Sequence, residues 1–270
     1  MAVDWSGGGT QAQRVDGMAV AAWSSPMTEP QFPQHPHNRR DMADWLSEKL
    51  APSEPPTLLG LDFGFGYPAP GASVIFGASE WGELPRLLAK HLDHDSAKAC
   101  DLALSINERF GKHAPFRTDS SRNDPRFYLE HGVPYFRLTE QFAPQAISQW
   151  YIGSGAAVGL STITGLACLG SLICCRRSAE ADFSVFPLEE LGSRHAIVEI
   201  YPALYSSSGT KALKGHRHDA EKSVRWLREH CPNKQVLTLP SIPGIDPELL
   251  EQLALEEGWI LGIGVPTCRP

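Results

Sequence analysis

The sequence predicts an α/β fold, and three observations carry that prediction. Two short apolar runs, within "AVDWSGGGT" at 2–10 and "LLGLDFGFGYP" at 58–68, each end on an aspartate and pass into glycine-rich chain. Aspartate disfavours strand interiors, so its place at the end of both runs puts it at the rim of a sheet, where α/β proteins usually do their chemistry. Stretches of helical spacing separate these runs from two further strand-like segments, 182–186 and 195–201.

Taken in order, residues 1–5 read as a first strand and 14–23 as a second, and a glycine-rich turn at 7–9 predicts an antiparallel hairpin between them. Residues 26–36 form a proline-rich loop or irregular edge. Asn38 is placed to cap a helix running to Leu50, with Met42, Trp45, Leu46 and Leu50 on one face. The run 57–62 is leucine-rich without alternation, as a central strand covered on both faces should be.

The long excursion 63–148 contains helical stretches at 81–92 and 96–110 and a polar loop at 117–126. Its length predicts a mainly helical insertion or cap beside the site, within a single domain spanning 1–270. From Trp150 to Cys175 there is no charge over roughly the length of a membrane span. Its glycine, serine and threonine content favours instead a buried helix, open to a break near Gly165, whose small residues allow close approach. Helices at 216–230 and from the Asp246–Pro247 cap to 257 complete the pattern, followed by the apolar "GWILGIGV".

At 270 residues, 42% hydrophobic and 20% charged, the chain is long enough to bury a full core. A formal net charge of -7 argues against a nucleic-acid coat protein or a binder of anionic membranes. It leaves room for an acidic metal-dependent nuclease, whose catalytic carboxylates add negative charge. The six cysteines contain no C-x-x-C pair and are expected to be reduced thiols. No basic region precedes an apolar run at the amino terminus, so the expected location is cytoplasmic.

Four acids stand out: Asp4 and Asp62 at strand ends, Glu199 inside an apolar strand and Asp219 in the first turn of a helix. If the first and third strands are neighbours, their aspartates meet at one sheet edge. Carboxylates that close raise one another's pKa, and a divalent cation relieves the conflict. Oxygen donors suit magnesium or manganese. Singly, each acid also suits a turn, an edge strand or a helix amino terminus.

The strings "AVDWSGG", "GLDFGFGYP", "GSGAAVGLSTITGL", "VEIYPALY", "HRHDAEKSVRWL" and "EEGWILGIG" resemble, in order, the motifs of the domain of unknown function 429 family and its bacterial relatives. Those are predicted nucleases. The resemblance implies a ribonuclease-H-like mixed five-stranded sheet with flanking helices, carrying a nuclease or phosphodiesterase dependent on Mg2+ or Mn2+. It places Asp4, Asp62, Glu199 and Asp219 at the acidic positions of that fold, with Asp4, Asp62 and Asp219 as metal ligands and Glu199 assisting. The substrate would be a nucleic acid or nucleotide, and no membrane is implied. Lys211, Lys214 and Arg217 would contact its phosphate, and Ser6 and Tyr67, which follow the two aspartates, would complete the substrate contacts.

Two other readings compete. "DWSGGGT" and "DFGFG" also suit the paired phosphate loops of sugar kinases and actin-like ATPases, which require two such sheet domains. A non-catalytic nucleotide-binding scaffold is the third. His216 and His218 lack a companion pair at metal-ligand spacing, "HLDHD" at 91–95 suits a polar helix end, and no nucleophile elbow points to serine hydrolysis.

Overall fold

A computed structural model describes residues 1–118, 125–153, 157–205, 214–232 and 237–264. Among these, five strands form one mixed sheet: β1 (Ala2–Asp4), β2 (Ala19–Ala21), β3 (Leu58–Asp62), β4 (Phe183–Phe186) and β5 (His195–Glu199). Their spatial order is β2-β1-β3-β5-β4, with β2 antiparallel to β1 and every other pair parallel. The helices are α1 (Arg39–Lys49), α2 (Glu83–His91), α3 (Ala99–Phe110), α4 (Arg126–His131), α5 (Leu138–Gln141), α6 (Val158–Arg177), α7 (His216–His230) and α8 (Pro247–Glu257).

The two faces of the sheet differ in side-chain size, and that difference decides what packs on each. Val3, Leu59, Leu61, Val185 and Ile197 face α1, α2 and α6 in one apolar cluster. On the opposite face β1, β2 and β3 present the small residues Ala2, Ala19, Ala21 and Gly60 to α7, which lies against them through Ala220, Val224 and Leu227, while Val198 and Phe186 extend the same cluster over β5 and β4. A Cβ on Gly60 would stand 2.7 Å from Ile200 and 3.1 Å from Leu227, so the missing side chain is what lets α7 settle close to β3.

Local chemistry sets the helix ends. The Asn38 side chain accepts a 2.8 Å hydrogen bond from the Asp41 amide to cap α1. Asp246 accepts one of 2.8 Å from the Glu248 amide, with Pro247 at the first helical position of α8. The segment between β3 and α6 carries α2 to α5. Its Leu84, Leu88, Ala103, Ile106 and Phe127 belong to the same cluster as Val3 and Leu61, so this segment and the sheet share one core.

Two sequence expectations are corrected. The glycine-rich stretch at 7–9 is not a tight hairpin turn: β2 begins only at Ala19, and the chain between the paired strands is a long loop drawn toward Arg39. The uncharged helix is not broken at Gly165, because α6 runs continuously from Val158 to Arg177 and the glycine serves packing instead. A Cβ there would lie 2.2 Å from the Phe63 ring, and one on Gly170 would lie 2.1 Å from the Pro85 carbonyl oxygen. Helix α6 is long and apolar enough to cross a membrane, and 67% of its most apolar window is buried inside the fold.

Gly165→Ala should lower stability by about 1–3 kcal/mol through overpacking, against the roughly 1 kcal/mol that alanine gains over glycine in helix propensity. The urea midpoint measures it. A midpoint equal to or above wild type would mean that Phe63 does not press on this helix.

Candidate functional site

Sheet geometry brings two of the predicted acids together. Strands β1 and β3 pair in parallel with Asp4 opposite Asp62, so both side chains leave the same face of the sheet, on strands about 4.8 Å apart. Alternation puts Asp4 with Ala2, and Asp62 with Leu58 and Gly60, on the face that α7 covers. Asp219, in the first turn of α7, meets them there. Glu199 is different: its neighbour in β3 is Leu61, not Asp62, so its side chain leaves the opposite face.

A cavity of about 620 Å3 opens at the carboxyl ends of β1, β3 and β5. Asp62, Asp219, Glu199, His216, Ser6 and Arg137 are among the residues that line it. Asp4 is buried at 5% exposure, and its Oδ2 lies 3.0 Å from Nδ1 of the half-exposed His216. Lys222, one turn beyond Asp219 on α7, holds that aspartate at 3.3 Å.

The electrostatics follow from this crowding. The Asp4 carboxyl is raised from 3.8 to about 7, chiefly by loss of water; Asp219 adds to the rise, and His216 and Lys222 oppose it. Asp62 is pushed well above the ordinary carboxylate range, first by desolvation and then by Asp4, Asp219 and Glu199, with Lys222 opposing. Desolvation and the nearby Asp62 likewise raise the Tyr201 phenol.

Glu199 belongs to a second, fully buried network. The Arg137 guanidinium donates to both its oxygens, at 2.8 and 2.5 Å, to Glu140 Oε1 at 3.0 Å and to the Glu257 carbonyl oxygen at 2.8 Å. Burial works against the Arg137 charge, but Glu199 and Glu140 outweigh it and hold the guanidinium protonated. Glu199 Oε2 also accepts from the Phe65 amide at 2.9 Å, and the Glu257 carboxylate accepts from the amides of Ala69 and Leu138 at 2.7 and 2.6 Å. Glu140 accepts in addition from Gln149.

The glycine-rich loop after β1 forms one rim of the cavity, and its shape is set by Arg39. That buried side chain donates to the carbonyl oxygens of Ser6, Gly8, Gly9 and Thr10 and to Gln11 Oε1, at 2.7–3.2 Å. Gly7 abuts the first turn of α6, where a Cβ would stand 2.2 Å from the Leu160 and Ser161 backbone. Only glycine fits.

Of the substrate contacts expected from the sequence, Ser6 lines the cavity. Tyr67 does not: it is completely buried, its ring stacked on Trp150 at 4.6 Å and packed against Phe76 and Phe116. Its place in the apolar core, where an aromatic in a glycine-rich loop finds most contact area, corrects that expectation. Lys214 and Arg217 line a neighbouring groove instead of the acid cavity, and Lys211 lies outside the described residues. Sequence reasoning missed Arg39, Arg137, Glu140, Lys222 and Glu257. Only Arg137 and Glu140 left a local trace, a three-residue spacing that here closes a capping box.

Compared with known proteins, the chain matches no family model, no curated protein sequence and no solved structure.

Two predictions follow from these charges. Arg137→Ala should cost about 3–5 kcal/mol, because it strands buried carboxylates without a counter-charge; a urea midpoint near wild type would mean that those carboxylates carry no charge. In chelator, Asp4 and Asp62 hold their protons more tightly in the folded than in the unfolded chain. Folding then takes up protons above about pH 4; the Asp4 share of stability is lost as pH rises through about 7, and Asp62 acts in the same direction. Asp62→Asn should flatten the profile and melt above wild type at pH 8; an unchanged slope in thermal melts would refute the coupling.

Proposed function

We propose that the protein is a divalent-metal-dependent phosphodiesterase on a ribonuclease-H-like sheet, as its resemblance to the domain of unknown function 429 family implies. The observation that carries this reading is the register of β1 and β3, which sets Asp4 beside Asp62 at the carboxyl rim of the sheet, facing Asp219. Carboxylates so placed offer hard oxygen donors, the kind that Mg2+ and Mn2+ take. Among the described residues no group of three or more His, Cys, Asp and Glu is close enough to hold a metal. Mg2+ does not require one, since it is commonly held by one or two carboxylates with substrate phosphate and water filling its octahedron.

In this reading Asp4 and Asp62 would hold the cation, and Asp219, expected from the resemblance as a third ligand, would add its negative charge from α7 without completing a three-residue cluster. Bound there, the cation would supply an activated water and neutralise charge on the phosphoryl group. The protein's own groups do the rest. His216 keeps Asp4 oriented through the 3.0 Å contact and stands at the cavity wall, and Lys222 offsets the negative charge around Asp219. Glu199 acts as a positioning residue: held by Arg137, it fixes the Phe65 amide and with it the chain that leaves Asp62. The five cysteines among the described residues are all free, which suits the reducing cytoplasm.

The phosphotransferase alternative has less support. It needs two sheet domains around a cleft, and the described residues hold one five-stranded sheet. A non-catalytic scaffold leaves unexplained why the buried Asp4 and the half-buried Asp62 stand side by side at the rim, each with its pKa raised.

Calorimetric titration with Mg2+ or Mn2+ and hydrolysis of bis(p-nitrophenyl) phosphate test the proposal together. Wild type should bind the metal and turn over. Asp4→Asn and Asp62→Asn should each lose metal affinity and lower kcat by about 10²-fold or more, the size of effect seen when one electrostatic stabiliser is removed from a transition state. Absent metal binding by wild type, or full activity in Asp62→Asn, would overturn it.

A further inference from the structure

A second cavity, of about 540 Å3, lies beside the acid site, and its walls carry the opposite charge. Lys214 and Arg217 line it together with His35, His37 and His216, and Arg14 there is paired at 2.8 Å with Asp16, its one acidic lining residue. The floor is the edge strand β2 with Met18 before it. His216 lines both cavities, and Gly17 packs against the wall between them: a Cβ there would come within 2.9 Å of Ser6 and 3.2 Å of His216. The partition between acid cavity and basic groove is thus one side chain thick.

We propose that this groove is a track for the phosphate backbone of a nucleic-acid strand, so that the acid site acts on a polymer and not on a free nucleotide. The inference rests on the phosphodiesterase reading of the acid site and adds the class of substrate.

Three observations support it. Lys214 and Arg217 are exposed and make no ion pair with any described residue, whereas Arg225, farther along α7, is neutralised by Glu221 and Glu29. The Arg217 guanidinium carbon sits over the Phe32 ring, 4.3 Å from its centroid. This cation–π contact holds the guanidinium in place, and an arginine so held can fork a phosphate with its N–H groups. Finally, a chain of net charge -7 repels polyanions in general, so a groove with unpaired cations is where a phosphate backbone gains most. A strand whose reacting phosphate sits in the acid cavity would carry its next phosphates past His216, which lines both cavities, into this groove.

The test is fluorescence anisotropy in EDTA, which excludes cleavage, with a labelled single-stranded oligonucleotide and a labelled mononucleotide. The Lys214→Ala, Arg217→Ala double variant should weaken oligonucleotide binding several-fold and reduce its log–log salt slope by about 1.4, two contacts at about 0.7 each, and leave the mononucleotide unaffected. Lys214→Glu, which disturbs no stacking, should act in the same direction should the double variant unfold. Oligonucleotide binding indifferent to both variants would overturn the proposal, as would an acidic peptide such as polyglutamate competing as well as the oligonucleotide. Groove-dependent binding by a protein that hydrolyses no phosphodiester with Mg2+ or Mn2+ would remove the catalytic reading and leave the groove standing.

Discussion

The buried guanidinium of Arg137 is the contact on which the arrangement of the site depends. It joins the end of β5, the short helix α5 and the last turn of α8 through Glu199, Glu140 and the Glu257 carbonyl. Taking such charges out of water is costly and is offset only when nearly every hydrogen-bonding position is filled. Here one planar cation donates four bonds, the geometry for which arginine is suited and lysine is not. Its partners in turn fix the amides of Phe65, Ala69 and Leu138. The chain that leaves Asp62 is therefore pinned within a few residues of the aspartate itself.

The sheet adds a second constraint, one of parity. Because side chains alternate, a strand can send an acid to only one face at each position. Asp4 and Asp62 share a face by virtue of their register, and Glu199, opposite Leu61, does not. One face gathers carboxylates at the foot of α7, and the other receives the carboxylate that Arg137 needs. Small residues on the α7 side complete the arrangement by letting the helix carry Asp219 and His216 down to the sheet.

Much of this was legible in the sequence wherever the signal is local. A strand that ends in aspartate, an asparagine before a helix and an Asp-Pro pair are short-range statements, and β1, β3, α1 and α8 begin or end where those residues put them. Adjacency of the first and third strands was needed for Asp4 to meet Asp62, and their pairing supplies it. The supports of the site were not legible. Arg137 finds Glu199 62 residues away, and Arg39 reaches back 31 residues to Gly8. No periodicity encodes such pairs, and an isolated arginine in a loop reads as solvated. Tyr67 illustrates the converse: a glycine-rich loop after a strand suggested an open rim, yet its aromatic side chains turn inward, because Trp150 and Phe116 offer the larger apolar contact.

The grip of Arg39 on four carbonyl groups between Ser6 and Thr10 has a consequence for molecular recognition. A loop this rich in glycine, left to itself, samples many backbone conformations, and a partner that ordered it would surrender affinity to do so. With its oxygens already committed to one internal cation, that entropy is spent when the chain folds. An incoming molecule therefore meets a rim that is preorganised, and selectivity at this edge is a matter of shape fixed in advance and not of induced fit.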